Sequence, residues 1–363
     1  MEILRKLQRL ILVKKNFRHL HYPKCQEVDI VFMWVDDKDI KWQREKEKWQ
    51  RLLDVKGVAV NVSRYRNNGE LRYALRSVHK NIPWVRKIFL ITNGQKPSWL
   101  DLSHPKISLV KHSDILPEEA LPCFNSTAIE AGIHKIKDLS EFFLLANDDT
   151  FICRAVEKSN FFKGDKPILR TVPTQWTPQL TTSNIYCNNV TFANKLIEKK
   201  YGKKFEIESH HNIDAYRKSV MMDAFNLFPE DFNRTIRSKF RQKGELHRSI
   251  VNFYMLANEL CEQRMVGESI ANMRGSLVME PTNLHTMLKK ISSKKYLFLC
   301  LNDIEFVQRK YVKNISIFLN ALFPMAAPWE KIRPKISFLE KIFILVTRIE
   351  LLILFNSKKW QKE

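Results

Sequence analysis

Paired cysteines, glycine-rich stretches and long apolar runs are all missing from this chain of 363 residues. The six cysteines (Cys25, Cys123, Cys153, Cys187, Cys261 and Cys300) are scattered, and none forms a C-x-x-C pair. That argues against a zinc site and a disulfide framework, and fits a reducing cytoplasm. Nine glycines are too few for a collagenous or linker-dominated chain. No stretch reaches the roughly 18 uncharged apolar residues that a spanning helix needs. Arg5, Lys6 and Arg9 break the apolar residues of the N-terminus, so no signal peptide is expected. No internal repeat is visible. Negative charge is scarce too: 39 Asp and Glu face 61 Lys and Arg, a net of +22. Such an excess calls for an anionic partner: nucleic acid, a phosphorylated substrate or a membrane surface.

What is present is enough apolar residue, 44%, for a sizeable core. Short apolar runs read as strands: "DIVFMWV" (29–35), "KIFLITNG" (87–94), "ISLVKH" (107–112) and "EFFLLA" (141–146). Helical patterns lie between them. "IKWQREKEKWQRLL" has a heavily charged face. "GELRYALRSVHKN" carries Leu71, Leu75 and Val78 at helical spacing. "NSTAIEAGIHKIKDL" carries Ile129, Ile133 and Ile136, with Asn125 or Ser126 as N-cap. Strands alternating with amphipathic helices predict an α/β sheet. Residues 155–210 read as irregular, and helices are expected again near 214–228 and 245–260. The chain divides into a basic extension (1–27), a central unit (28–330) and a basic amphipathic tail (331–363).

Two strands end in acids: Asp36 with Asp37, and Asp148 with Asp149. In open α/β sheets ligands bind beyond the carboxyl ends of strands. Adjacent carboxylates repel unless a cation sits beside them. A hard divalent ion such as Mg²⁺ would take those oxygens and keep open positions for phosphate. An isolated "NDD" is more often a solvated turn. "RYRNNGELRYALRS" supplies Arg64, Arg66, Arg72 and Arg76, whose forked guanidinium groups match phosphate, although a basic helix face reads the same way. "ESHHNIDAYRKS" places His210 and His211 before an expected helix, where one could act as a general base or be structural. Arg241 in "KFRQKGELH" is as ambiguous alone.

Taken together the segments resemble a known family. "DIVFMWVDDKDIKWQ", "RYRNNGELRYALRSVHKNIPWVRKIFLITNGQKPSWL", "FNSTAIEAGIHKIKDLSEFFLLANDDTFI", "HNIDAYRKSVMMDAFNLFPEDFNRTIRSKFR", "CLND" (300–303) and "FLNALFPMAAPWE" (318–330) resemble, in order, the Stealth family of bacterial capsular polysaccharide phosphotransferases. The likeness covers most of residues 28–330. It implies a Rossmann or GT-A-type nucleotide-sugar fold with a mainly helical C-terminal part. It also implies transfer of a sugar-1-phosphate from a nucleotide sugar, of the UDP-GlcNAc kind, to a glycan hydroxyl. On that likeness Asp148 and Asp149 hold Mg²⁺ or Mn²⁺, His211 is the base and Arg241 a catalytic arginine. Arg64, Arg66, Asn68 and Arg72 would bind phosphate or sugar, with Asp36, Asn125, Asn302 and Asp303 near the donor. This sequence departs from the family at Ile213, where Pro is usual, and at Asp37, where Gly is usual.

An ordinary glycosyltransferase, releasing nucleoside diphosphate, is the competing reading. A nucleic-acid binder is disfavoured, because the basic residues are dispersed and no reader motif appears. The tail carries eight Lys/Arg against three Asp/Glu. Phe338, Ile342, Leu345, Ile349, Leu352 and Ile353 stand there at helical spacing. It is expected to lie on an anionic membrane surface or to pack on the catalytic unit. The enzyme is then cytoplasmic, peripheral at the inner face of the membrane.

Overall fold

The computed structural model describes residues 27–174, 176–265, 276–279, 282–292, 296–302, 309–331 and 338–356. Asp303, and all but Glu27 of the basic N-terminal extension, lie outside the described residues.

The centre is a sheet begun by β1 (Val28–Met33), β2 (Ile88–Thr92), β3 (Ile107–Lys111) and β4 (Phe142–Asn147). These four are mutually parallel and lie in the order β3-β2-β1-β4. The order reverses between β1 and β4, which makes the ends of those two strands the topological switch point. β5 (Thr150–Ile152) follows β4 after a two-residue turn. β6 (Phe162–Lys163), β7 (Lys166–Pro173) and β8 (Ile207–Ser209) form a side layer. β9 (Asp214–Arg217) then returns to the main sheet, antiparallel to β4. β10 (Glu262–Met265) extends the side layer beside β7. β11 (Ser276–Met279) pairs with β12 (Phe298–Leu301), and β12 pairs antiparallel with β5.

The longer helices are α1 (Ile40–Leu52), α2 (Glu70–Asn81), α3 (Ser126–Gly132), α4 (Ile185–Tyr201), α5 (Lys218–Asn226), α6 (Pro229–Ile236), α7 (Ser249–Ala257), α8 (Leu284–Ser292), α9 (Arg309–Leu322) and α10 (Phe338–Asn356). Successive strand residues point to opposite faces, so each face of the sheet builds its own core. Ile30, Phe32, Leu144 and Ala146 meet Leu71, Leu75 and Val78 of α2 on one side. Val31, Phe143 and Leu145 meet Ala128 of α3 and Ile250 and Val251 of α7 on the other. A parallel sheet covered on both faces explains why β1 and β4 are continuously apolar.

Three expectations are corrected. Residues 155–210 hold β6, β7, β8 and the 17-residue α4. Residues 214–217 are a strand, and helix begins only at Lys218; pairing with β4 outweighs local helical character there. The 245–260 helix is shorter, Ser249–Ala257. In the tail, α10 packs on α9 and α8.

Candidate active site

The site forms where β4 runs out. β9 pairs with β4 so that Asp214 stands opposite Leu145. His211 lies three residues before Asp214, and its imidazole comes within 4.8 Å of an Asp149 carboxylate oxygen just beyond the end of β4. β12 approaches from the other side: Cys300 pairs with Thr150, and the Leu301 N–H donates to the Asp149 carbonyl at 3.0 Å. Donor atoms of Asp149, His211 and Cys300 therefore all fall within 4.8 Å of one another.

α2 delivers a third carboxylate. Gly69, at φ +88°, caps the helix in the left-handed region, which glycine adopts without steric cost. The turn sets Glu70 at the first helical position. Glu70 accepts hydrogen bonds from the Asn68 backbone N–H and side-chain amide, each at 2.7 Å. Burial, with the negative charges of Asp149 and Glu70 beside it, holds the Asp148 carboxyl well above the usual range. Three acids around one turn favour a cation. Asp149 and His211 offer carboxylate and imidazole, with the Cys300 thiol adjacent. Such a set can hold a divalent cation. The sequence expectation paired Asp148 with Asp149 as ligands. In the structure it is Asp149 that converges with His211 and Cys300, while Asp148 stands between Asp149 and Glu70.

Positive charge reaches this site through Arg241, which is close enough to His211 for its charge to lower the imidazole. Arg241 donates to the Ser126 hydroxyl at the start of α3. Arg64 stands close enough to Arg241 for their charges to interact, and burial together with that neighbour lowers Arg64 to about 10. A small aromatic core fixes both loops. Phe124 stacks on Phe240, and Trp42 meets Phe124 and Tyr65. The Tyr65 hydroxyl donates to the Phe124 carbonyl at 3.0 Å, and the Phe124 N–H to the Lys239 carbonyl at 2.8 Å. Two adjacent guanidinium groups suit an anion with several oxygens.

His211 has solvent-accessible surface but sits in a crowded recess. That crowding, then the charges of Arg248, His210 and Arg241, pushes its imidazole down to about 4. It is neutral at pH 7 and can accept a proton or ligate a metal. His210 is buried, and its Nδ1 lies 3.3 Å from the Asn212 amide. Both histidines precede a strand, not the expected helix.

Other expected residues are placed differently. Arg72 lies over the Trp99 ring, 4.7 Å from its centroid, and 3.7 Å from Glu330. That contact ties Arg72 to the segment after α9. Asn125 is fully buried: it caps α3 by accepting from the Thr127 N–H at 3.0 Å, and its amide donates to Glu245 at 2.7 Å. It shapes the Ser126–Arg241 junction and is not open to a sugar. Asp36 follows β1 and accepts from the Asn67 amide at 3.2 Å, while Asp37 accepts from the Asn67 N–H at 3.0 Å. Asp37 has no positive φ, so the glycine usual in the family is not required. Arg66 is half-buried in the same loop and Asn302 is exposed just beyond β12. Glu70, Ser126 and Cys300 were missed. The "CLND" match pointed to Asn302 and Asp303, and only the β5–β12 pairing turns Cys300 toward Asp149.

Residues 64–169 match the family model for Stealth protein CR2, conserved region 2. The chain is 32% identical over 315 residues to the capsular polysaccharide phosphotransferase SacB of Neisseria meningitidis serogroup A, with 84% of this chain covered. It spans only 57% of SacB's length. It is 30% identical to WcwK of Streptococcus pneumoniae, covering 84% of this chain and 98% of WcwK. It is also 30% identical to fcs1 of Haemophilus influenzae, covering 82% and 84% respectively. Both are likewise named capsular polysaccharide phosphotransferases. Among solved structures, the galactosyltransferase LgtC aligns over 85% of this chain at 11% identity and a TM-score of 0.39, too remote to bear on function. Sequence likeness along nearly the whole of WcwK, with the acid turn at the switch point, places this chain in the Stealth family of capsular polysaccharide phosphotransferases.

Proposed function

We propose that the protein transfers a sugar-1-phosphate from a UDP-sugar, of the UDP-GlcNAc type, to a hydroxyl of an oligo- or polysaccharide acceptor in capsule biosynthesis. The observation that carries this reading is the meeting of Asp149 with His211 beyond β4, with Asp148 and Glu70 beside them and the Arg241 charge acting on the imidazole. The acceptor oxygen forms a bond to the β-phosphorus. The bond from that phosphorus to the bridging oxygen breaks, and UMP leaves with the bridging oxygen. The acceptor's proton passes to His211. A diphosphate beside His211 adds negative charge and moves its imidazole upward, toward the working pH. Arg64 and Arg241 face the charge that accumulates on the phosphoryl oxygens. Asp149, with Asp148 beside it, would hold Mn²⁺ or Mg²⁺, which supplies electrophilic stabilisation of the diphosphate. Asp36 and Asn302 are assigned to the donor's surroundings, and Arg66 and Asn68 to the phosphate loop. Among the described residues no helix is long and apolar enough to cross a membrane. We place the reaction in the cytoplasm, at the inner face of the membrane.

The test is incubation with a panel of UDP-sugars and a glycan acceptor, followed by identification of the released nucleotide. UMP with a phosphodiester product is expected. Release of UDP would assign the protein to ordinary glycosyl transfer.

A further inference from the structure

α10 has two unlike faces. Thr347 is 1% exposed on the side that packs toward α9, and Ile344 is half-buried. On the opposite side Phe338, Ile342, Leu345, Ile349, Leu352 and Ile353 recur at helical spacing and are all exposed, from 43% to 76%. Leu339, Phe343 and Val346 widen the stripe and are also exposed. An apolar strip of this length in water marks an interaction surface. One edge is basic. Lys341 and Arg348 flank the stripe, and Arg348 and Leu352 border a groove shared with Lys80 and Arg154. The helix is thus docked and amphipathic at once, with its apolar side outward.

We propose that this stripe lies in the interface of an anionic phospholipid leaflet, its apolar side at the acyl boundary and Lys341, Arg348, Lys80 and Arg154 against headgroup phosphates. The charge decides the occupant. A stripe-to-stripe pair of copies would bring two basic edges together on chains that each carry +22, whereas an anionic leaflet complements that charge. Charged residues beside the stripe keep the helix in the interface and out of the bilayer centre. The membrane surface is independent of the transferase reading, because the stripe is remote in sequence from every residue assigned to the site.

The experiment is co-sedimentation of the full chain with vesicles of phosphatidylglycerol and phosphatidylcholine, and with phosphatidylcholine alone. Binding to the anionic vesicles that weakens with salt is expected. L345E/I349E, at exposed positions, should weaken it at least about tenfold with unchanged circular dichroism and unchanged UMP release on a soluble acceptor. K341E/R348E should remove the preference for anionic lipid. The proposal is overturned if the full chain stays in the supernatant at low salt, or if L345E/I349E sediments like the parent. It is also overturned if light scattering shows a dimer that L345E/I349E converts to monomer.

Discussion

Arg76 and Glu330, 254 residues apart, form a buried two-pronged ion pair, Nε to Oε1 at 2.6 Å and Nη2 to Oε2 at 2.8 Å. The third arm of Arg76 donates to the Phe323 carbonyl at 2.9 Å, and Arg72 lies on the same carboxylate. The segment after α9 is thereby strapped to α2, and a backbone bond from the Asp101 N–H to the Trp329 carbonyl at 2.8 Å completes the strap. Removing one partner of a buried pair leaves an uncompensated charge. Glu330→Ala should therefore cost about 3–5 kcal/mol in urea denaturation. An unchanged midpoint would show that the pair contributes nothing.

Transfer should require a divalent ion and the acid turn. Asp149→Asn and Asp148→Asn should each lower kcat/KM by about 10²-fold or more, the scale of losing a charge-stabilising group. Chelation should abolish turnover, and Mn²⁺ should restore it. Full activity in chelator, or in both variants, refutes the assignment.

His211→Ala should lower kcat by about 10²–10⁴ with the fold intact, while His210→Ala should spare chemistry. Because His211 is pushed down to about 4, the free enzyme's acid limb should fall below the ordinary histidine range. If excess Mn²⁺ rescues His211→Ala, the imidazole is a metal ligand and the base lies elsewhere.

Glu245 offers a pH-dependent stability. Burial raises its carboxyl to about 7, against the opposing hydrogen bond from Asn125. The unfolded chain loses this proton near 4.5 and the folded chain near 7, so folding is progressively penalised as pH rises between them and fully so above. Glu245→Gln should thus stabilise the protein at pH 8 by up to about 3 kcal/mol, with little gain below pH 4.5. Thermal melts at pH 8 and pH 4.3 test the difference; equal shifts at both would exclude titration of Glu245 as the cause.

Local pattern made the parallel half of the sheet legible. The apolar runs of β1, β2 and β4 are buried on both sides, and α2 and the Asn125 cap follow from spacing and capping chemistry. α4 was illegible because Asn188, Asn189 and Asn194 interrupt its apolar stripe. Their amides are used at a distance, Asn189 toward the Gln242 carbonyl at 2.9 Å and Asn194 toward that of Phe205. β9 was read as helix because nothing local reveals its partner β4.

By itself, then, the sequence determined the α/β class, the acids at the strand ends and the basic, amphipathic tail, all of which depend on residues near one another in the chain. Only the tertiary structure decided which groups meet. Antiparallel pairing of β9 with β4 brings His211 to Asp149, β12 brings Cys300 to the same carboxylate, and the Glu330 strap engages Arg72 and Arg76. These contacts join segments tens to hundreds of residues apart, and their register is set by two-sided burial of the sheet, which no local window contains.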